Sequence, residues 1–223
     1  MSAVGISAMV AAIVGAAVAV IGCGLHVRWM LSLPFKVDVA PAKGSVSKGV
    51  LYAYTLGMAP WEKESTRHHL FGYLRGVVFH VGIFAAIVVF LISPWLNVLW
   101  PASMQGSSGN ALGLALRTLL IVVTLLGGLA GLGGLAARFA EENLRVLSTK
   151  DDYFSVALVS LFVLSASLAL LAPAAVLLFH LLSAITFIYL PFGKVRHCVY
   201  FFFSRFVFGA FFGYRGVIEK ARS

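Results

Sequence analysis

The chain has 223 residues, 61% of them hydrophobic, and a mean hydropathy of +0.97. It carries 17 Lys and Arg against 8 Asp and Glu, a formal charge of +9. A soluble domain of this size cannot hide so much apolar surface, so the composition excludes a water-soluble globule and predicts an all-α polytopic bundle whose core is shared with lipid.

Five apolar spans of about 20 residues, the length that crosses about 30 Å of hydrocarbon, follow in chain order. The first is Val4–Leu25. Met1–Gly5 has no positive n-region, so this span reads as a retained anchor rather than a cleaved signal. Val27–Tyr73 is the one sizeable extramembrane stretch. Pro34, Pro41 and Pro60 and Gly44, Gly49 and Gly57 make it loop, with one short interfacial helix around Val50–Met58. The second span is Gly76–Trp95, and the loop after it, Leu96–Asn110, carries no charge. The third is Ala111–Ala137. Its Gly127 and Gly131 have the small-x-x-x-small spacing that lets helix backbones approach; clearance for a cofactor edge is the other reading of those glycines.

Spans four and five, Phe154–Leu171 and Ala174–Phe192, are split at Pro173, which has no N–H and clashes with the preceding turn. A tail over about 198–223 alternates aromatic and basic residues. It suits either anchoring at the membrane interface or docking of a partner. The whole chain, 1–223, thus reads as one membrane domain.

Sixteen of the 17 Lys and Arg, and all the Asp and Glu, fall in segments that five spans place on one side. The positive-inside rule makes that side cytoplasmic, with the N-terminus out and the C-terminus in. The basic excess is thereby accounted for by orientation, and no nucleic acid partner is expected. The exception, Arg117, lies one to two turns into span three, where it can snorkel outward or meet an anionic group.

Ionisable residues within spans are costly and usually functional, which directs attention to the histidines. His26, His68 and His69 lie at span ends, at headgroup level. His69 is 11 residues from His80, about three turns and 16 Å along a helix, and keeps a chance of being a ligand. His80 and His197 lie at similar depth on spans that would enter from and return to the same side. Each has a glycine four residues earlier, Gly76 and Gly193. On a helix that spacing leaves a flat recess beside the imidazole, the space a haem needs when two helices hold its iron. Neutral imidazole is a standard axial ligand. Arg75, Lys194 and Arg196 are at the level to pair with haem propionates. His180 lies near the outer side of span five. Neither cysteine, Cys23 or Cys198, has metal spacing, and no C-x-x-C-H is present, so a haem would be held by coordination alone. Cys198 reads as a small buried apolar residue.

At Phe79-His80-Val81-Gly82-Ile83, at Leu144-Arg145-Val146-Leu147-Ser148, and from Phe179-His180 through Leu190-Pro191-Phe192-Gly193-Lys194 to His197, the chain resembles the cytochrome b (gamma) subunit of respiratory nitrate reductase. Heterodisulfide-reductase-like and sulfite-reduction-associated membrane cytochromes b are relatives of that family. The resemblance implies b haems that pass electrons between the quinone pool, menaquinone or ubiquinone, and an iron–sulphur or flavin subunit on the cytoplasmic side of a prokaryotic inner membrane. By position it assigns His80 and His197 to the cytoplasmic-side haem. His180 matches one ligand of an outer haem, or a quinone partner, but the other expected outer ligand falls where this chain has Phe90. One haem is therefore favoured over two. Pairings shifted to His69 with His197 and His80 with His180 are the remaining option. The rival functions are a haem-free membrane anchor for a redox partner and, more weakly, a transporter with a histidine-lined path.

Overall fold

The computed structural model describes residues 3–34, 41–62, 69–96 and 111–218. They form eight α-helices joined by short 3-10 turns, with no β-strand among the described residues. The helices are α1 (Ala3–Ser32), α2 (Val46–Tyr54), α3 (Leu70–Ile92), α4 (Ala111–Ala140), α5 (Glu142–Leu147), α6 (Lys150–Leu171), α7 (Val176–Tyr189) and α8 (His197–Tyr214). Five helical segments are long and apolar enough to cross a membrane. His68 and most of the charge-free loop after Leu96 lie outside the described residues.

The chain divides into two compact units. The first comprises residues 1–19 and 74–194. Its centre is α6, the most buried of its helices, which packs on α4 and on α7. Phe162, Val163 and Ala166 of α6 are fully buried, while Phe84 of α3 is 69% exposed and faces outward. That is the inverted pattern of a bundle solvated by lipid.

Backbone and hydroxyl groups there must be satisfied internally. Accordingly Ser160, Ser165, Ser167 and Ser183 each donate to a carbonyl three or four residues back, at 2.6–2.7 Å. Small residues on α4 also let α6 approach. Gly128 faces Leu164, and Gly131 faces Ser160 and the Phe79 ring. α3 and α4 meet at Gly82 and Gly127, where a Cβ on Gly82 would stand 2.6 Å from the Gly127 Cα. The glycine stripe of α4 is thus helix packing at these positions.

α6 begins with a capping box. Thr149 N and Oγ1 donate to Asp152 Oδ2 at 2.8 and 2.9 Å. It ends, as Pro173 requires, at Leu171, and Ala172 is extended. The last carbonyls of a helix lack intrahelical partners. Arg117 supplies one: its Nε and Nη2 donate to Leu170 O at 3.0 and 2.5 Å. Arg117 therefore neither snorkels outward nor meets an anionic side chain; it turns inward to the negative end of α6.

The fifth span differs from its expected form. α7 has 14 residues and stops at Tyr189, because Pro191 and Gly193 turn the chain; Phe192 and Gly193 N–H both donate to Tyr189 O, at 3.0 and 2.9 Å. The fifth long apolar segment is instead Lys194–Tyr214, most of the stretch read as a tail.

The second unit comprises residues 20–73 and 195–223. Ser45 caps α2 by accepting from Lys48 N, and Gly49 packs against Gly209 and Gly213 of α8. The pairing is antiparallel: Lys43 and Gly44 N–H donate to Tyr214 O at 2.9 and 3.1 Å, while at the other end Tyr54 OH donates to Phe202 O. Gly216, with φ +63°, turns the chain against Lys43 O. The short helix expected near Val50–Met58 is α2, displaced four residues toward the N-terminus.

Candidate functional site

His80 sits in the third turn of α3. Its Nδ1 lies 2.7 Å from Gly76 O. A carbonyl can only accept, so Nδ1 carries the proton and Nε2 carries the lone pair. That is the tautomer of a ligating imidazole whose other nitrogen is held by a backbone carbonyl. The imidazole is exposed on the first unit, inside an apolar span. Beside it Gly76 is open among the described residues: a Cβ built there meets no neighbouring atom of theirs within 4 Å. On this side the residues fit a flat macrocycle. Arg75, the neighbouring residue, reaches α4 through Nη1 to Gly133 O at 3.4 Å, with its stem lying along Gly133 and Gly134.

The other half of the expected site is built differently. His197 is the first residue of α8 and belongs to the second unit, with Arg196 as the helix N-cap. Gly193 is not on that helix. It lies in the turn after α7, and the Tyr189 ring packs directly against its Cα. The helical i−4 relation therefore does not hold for Gly193 and His197, and the recess expected at Gly193 is filled by the Tyr189 ring. Lys194 is also committed: its Nζ pairs with Asp152 Oδ2 at 2.5 Å, and its N–H donates to Asp151 Oδ2 at 3.0 Å. Tyr189 OH donates to Asp151 and lies 2.7 Å from Ser155 Oγ. This knot of Asp151, Asp152, Ser155, Tyr189 and Lys194 was not anticipated. Its one legible signal was the Thr149-x-x-Asp152 spacing ahead of an apolar run.

His69 is an exposed turn residue just before α3, and its carbonyl accepts from Tyr73 N at 3.1 Å. It falls in the second unit, as His197 does; His80 falls in the first.

His180 is 1% exposed. Its Nε2 lies 3.0 Å from Ser93 Oγ, and the single Ser93 hydroxyl proton is already donated to Phe90 O at 2.7 Å. Ser93 must therefore accept, so His180 Nε2 donates and Nδ1 is left as a bare lone pair. Nδ1 has no hydrogen-bond partner among the described residues. Because His180 touches Ser93, 13 residues beyond His80, the two histidines are about 20 Å apart along α3. They cannot share one iron, and the His80–His180 pairing is ruled out within this unit. Phe90 packs edge-on to Phe187 with ring centroids 4.8 Å apart, and Phe187, Phe162 and Phe179 continue the aromatic cluster to His180.

These features define a multi-pass helical membrane protein with one histidine presented outward from its bundle and a second buried in it. Comparison with known proteins adds no relative: no family model matches the chain, and no curated protein or solved structure shows significant similarity to it.

Proposed function

We propose that this protein is a membrane cytochrome b subunit of a prokaryotic inner membrane. It relays electrons between menaquinone or ubiquinone and an iron–sulphur or flavin subunit on its basic, cytoplasmic side. The observation that carries the reading is His80. An ionisable ring within an apolar span is costly and usually functional. The Gly76 carbonyl fixes its tautomer with Nε2 as the Lewis base, and the open face at Gly76 gives room for a macrocycle. His197 is the second ligand in this reading, and Arg75 and Arg196 are the cations for propionates. Lys194 drops out, since it already serves Asp152. A b haem supplies a one-electron iron couple.

One haem is favoured over two. Where a second outer ligand is needed the chain has Phe90, packed in the aromatic cluster, and His180 is engaged by Ser93. The pairing of α8 with α2 also bears on topology. α2 has 9 residues and cannot span a bilayer. α8 runs along its whole length, which favours both helices lying at the interface.

The test is a pyridine haemochrome assay on purified protein, with His80→Ala, His197→Ala and Gly76→Leu. The expected result is one haem per chain, lost in the two histidine variants. Gly76→Leu should lower haem content without lowering the stability of the haem-free protein, because no atom of the described residues stands over Gly76. Unchanged haem in both histidine variants overturns the assignment. Haem-free protein that still holds a soluble redox partner establishes the anchor instead.

A further inference from the structure

We propose that the groove between α2 and α8 holds an acyl chain of an anionic phospholipid from the leaflet on the chain's basic side. The groove has a volume of about 640 Å³ and is lined by Val46, Ser47, Val50, Leu51 and Tyr54 of α2 and Phe206 of α8. That volume falls in the range of about 300–1,000 Å³ in which proteins hold small molecules. Every lining residue belongs to the second unit. The floor is the close approach of the two helices, where a Cβ on Gly209 would stand 2.5 Å from the Val50 Cα. The lining offers apolar contact and little else. Tyr54 OH already donates to Phe202 O, and Ser47 Oγ is engaged with Ser45 Oγ at 3.0 Å. An extended peptide laid there would find no partner for its N–H and C=O groups, whereas a hydrocarbon chain requires none. Leu51 is 66% exposed and Phe206 45%, so an acyl chain would take apolar surface out of water.

Charge assigns the headgroup. Val46 and Val50 stand about one turn apart on the groove face, and Lys48, midway between them, projects from the opposite side of α2. The groove face can therefore lie on hydrocarbon while Lys48 stays at the level of the phosphates, the arrangement of an interfacial amphipathic helix. Among the described residues of this unit six are basic, Arg28, Lys43, Lys48, Arg196, Arg205 and Arg215, and one, Glu62, is acidic. Glu62 already accepts from Tyr52 OH at 2.9 Å. An anionic headgroup complements this excess, which a zwitterionic one cannot neutralise. The inference rests on the interfacial placing of α2 and α8 proposed above and is independent of haem.

Full-length protein is reconstituted in nanodiscs of phosphatidylglycerol and phosphatidylcholine in equal parts, and the lipid that stays bound is counted by native mass spectrometry. At least one phosphatidylglycerol per chain is expected, retained in preference to phosphatidylcholine. Val50→Trp fills the groove and, at wild-type helicity, should remove the retained lipid. Lys43→Gln and Lys48→Gln, at exposed positions, should each lower the preference for phosphatidylglycerol about fivefold. With Cys23 and Cys198 replaced by serine, Leu51→Cys should react with a membrane-impermeant maleimide more slowly than Lys48→Cys in the same nanodiscs. Haem content measured on the same samples separates failure of this site from failure of the haem assignment. The proposal is overturned if the two lipids are retained equally, if Val50→Trp keeps the wild-type amount of lipid, if the two cysteine variants label at the same rate, or if the wild-type spectra show a lipid-free dimer.

Discussion

α3 carries two glycines six residues apart whose substitution should have opposite effects. A Cβ on Gly82 meets the Gly127 Cα at 2.6 Å and the Gly127 carbonyl carbon at 3.3 Å. Both are backbone atoms, so no side chain can rotate away. Carbon atoms attract best at about 3.5–4.0 Å, so Gly82→Ala must part α3 and α4 by about 1 Å. Gly76→Ala meets nothing within 4 Å. Both substitutions gain the same helix propensity, about 1 kcal/mol, and that gain cancels in the comparison. What remains is the overpacking term, about 1–3 kcal/mol. The folded-to-unfolded ratio of Gly82→Ala should thus fall roughly 5- to 150-fold below that of Gly76→Ala. Titration with sodium dodecyl sulfate in mixed micelles, read by helicity and tryptophan fluorescence, measures both on haem-free protein. Midpoints that coincide would refute the claim that α3 and α4 touch through these two glycines. Gly127→Ala should repeat the loss, since its Cβ meets the Gly82 Cα at 2.5 Å.

Arg117→Met removes both donors from Leu170 O. Charge-assisted hydrogen bonds contribute about 1.5–3 kcal/mol, so the same titration should show a loss of that order, and faster amide exchange should appear at the α6 C-terminus. Asp151→Ala unties Tyr189 OH and Lys194 N–H; limited proteolysis should then cut faster within 190–196, while a Thr149→Ala change should act on the first turn of α6 instead. Ser93→Ala deprives His180 Nε2–H of its acceptor and should cost about 1–3 kcal/mol, and restoring the pair geometry with Ser93→Thr should recover part of it.

The extent of legibility follows the physics of each element. Helical character was readable because apolar runs of 18 or more residues admit little else in lipid. The break at Pro173 was readable because a missing N–H acts locally. The end of α7 was not, although Pro191 and Gly193 stand in plain view. The run was long enough to satisfy a bilayer through Phe192, and the decision to turn is held by Tyr189 and Asp151, the second of which lies 38 residues earlier in the chain. The i−4 argument for Gly193 failed with it, since a spacing rule holds only within one helix. For His80 the same rule stood, because Gly76 and His80 share α3. Arg117 was misread for a related reason. Its charge is visible in the sequence, but the carbonyl it serves is an orphan made by a proline 56 residues later.

Apart from Thr186, whose hydroxyl has no hydrogen-bond partner among the described residues, the buried polar groups of the first unit sort into two kinds, and the sorting bears on how many haems the chain holds. Ser160, Ser165, Ser167, Ser183 and Thr124 are each satisfied by a carbonyl of their own helix. They require nothing from elsewhere and would persist in any packing of these helices. His180 is different. It is held by one residue of another element, Ser93, and its second nitrogen is unpartnered among the described residues. A second iron would use that lone pair, yet it would need a ligand opposite, and the ring of Phe90 occupies the neighbouring position of α3 in contact with Phe187. Making room for a macrocycle there means dispersing the Phe90, Phe187, Phe162 and Phe179 cluster, whose pairs are worth about 0.5–1.5 kcal/mol each beyond the area they bury. Beside Gly76 no aromatic cluster has to be dispersed, since a Cβ there meets nothing within 4 Å among the described residues. The single-haem reading thus rests on what each site must give up. The site at His180 would have to lose its aromatic core, whereas at His80 no such cluster stands beside Gly76 among the described residues.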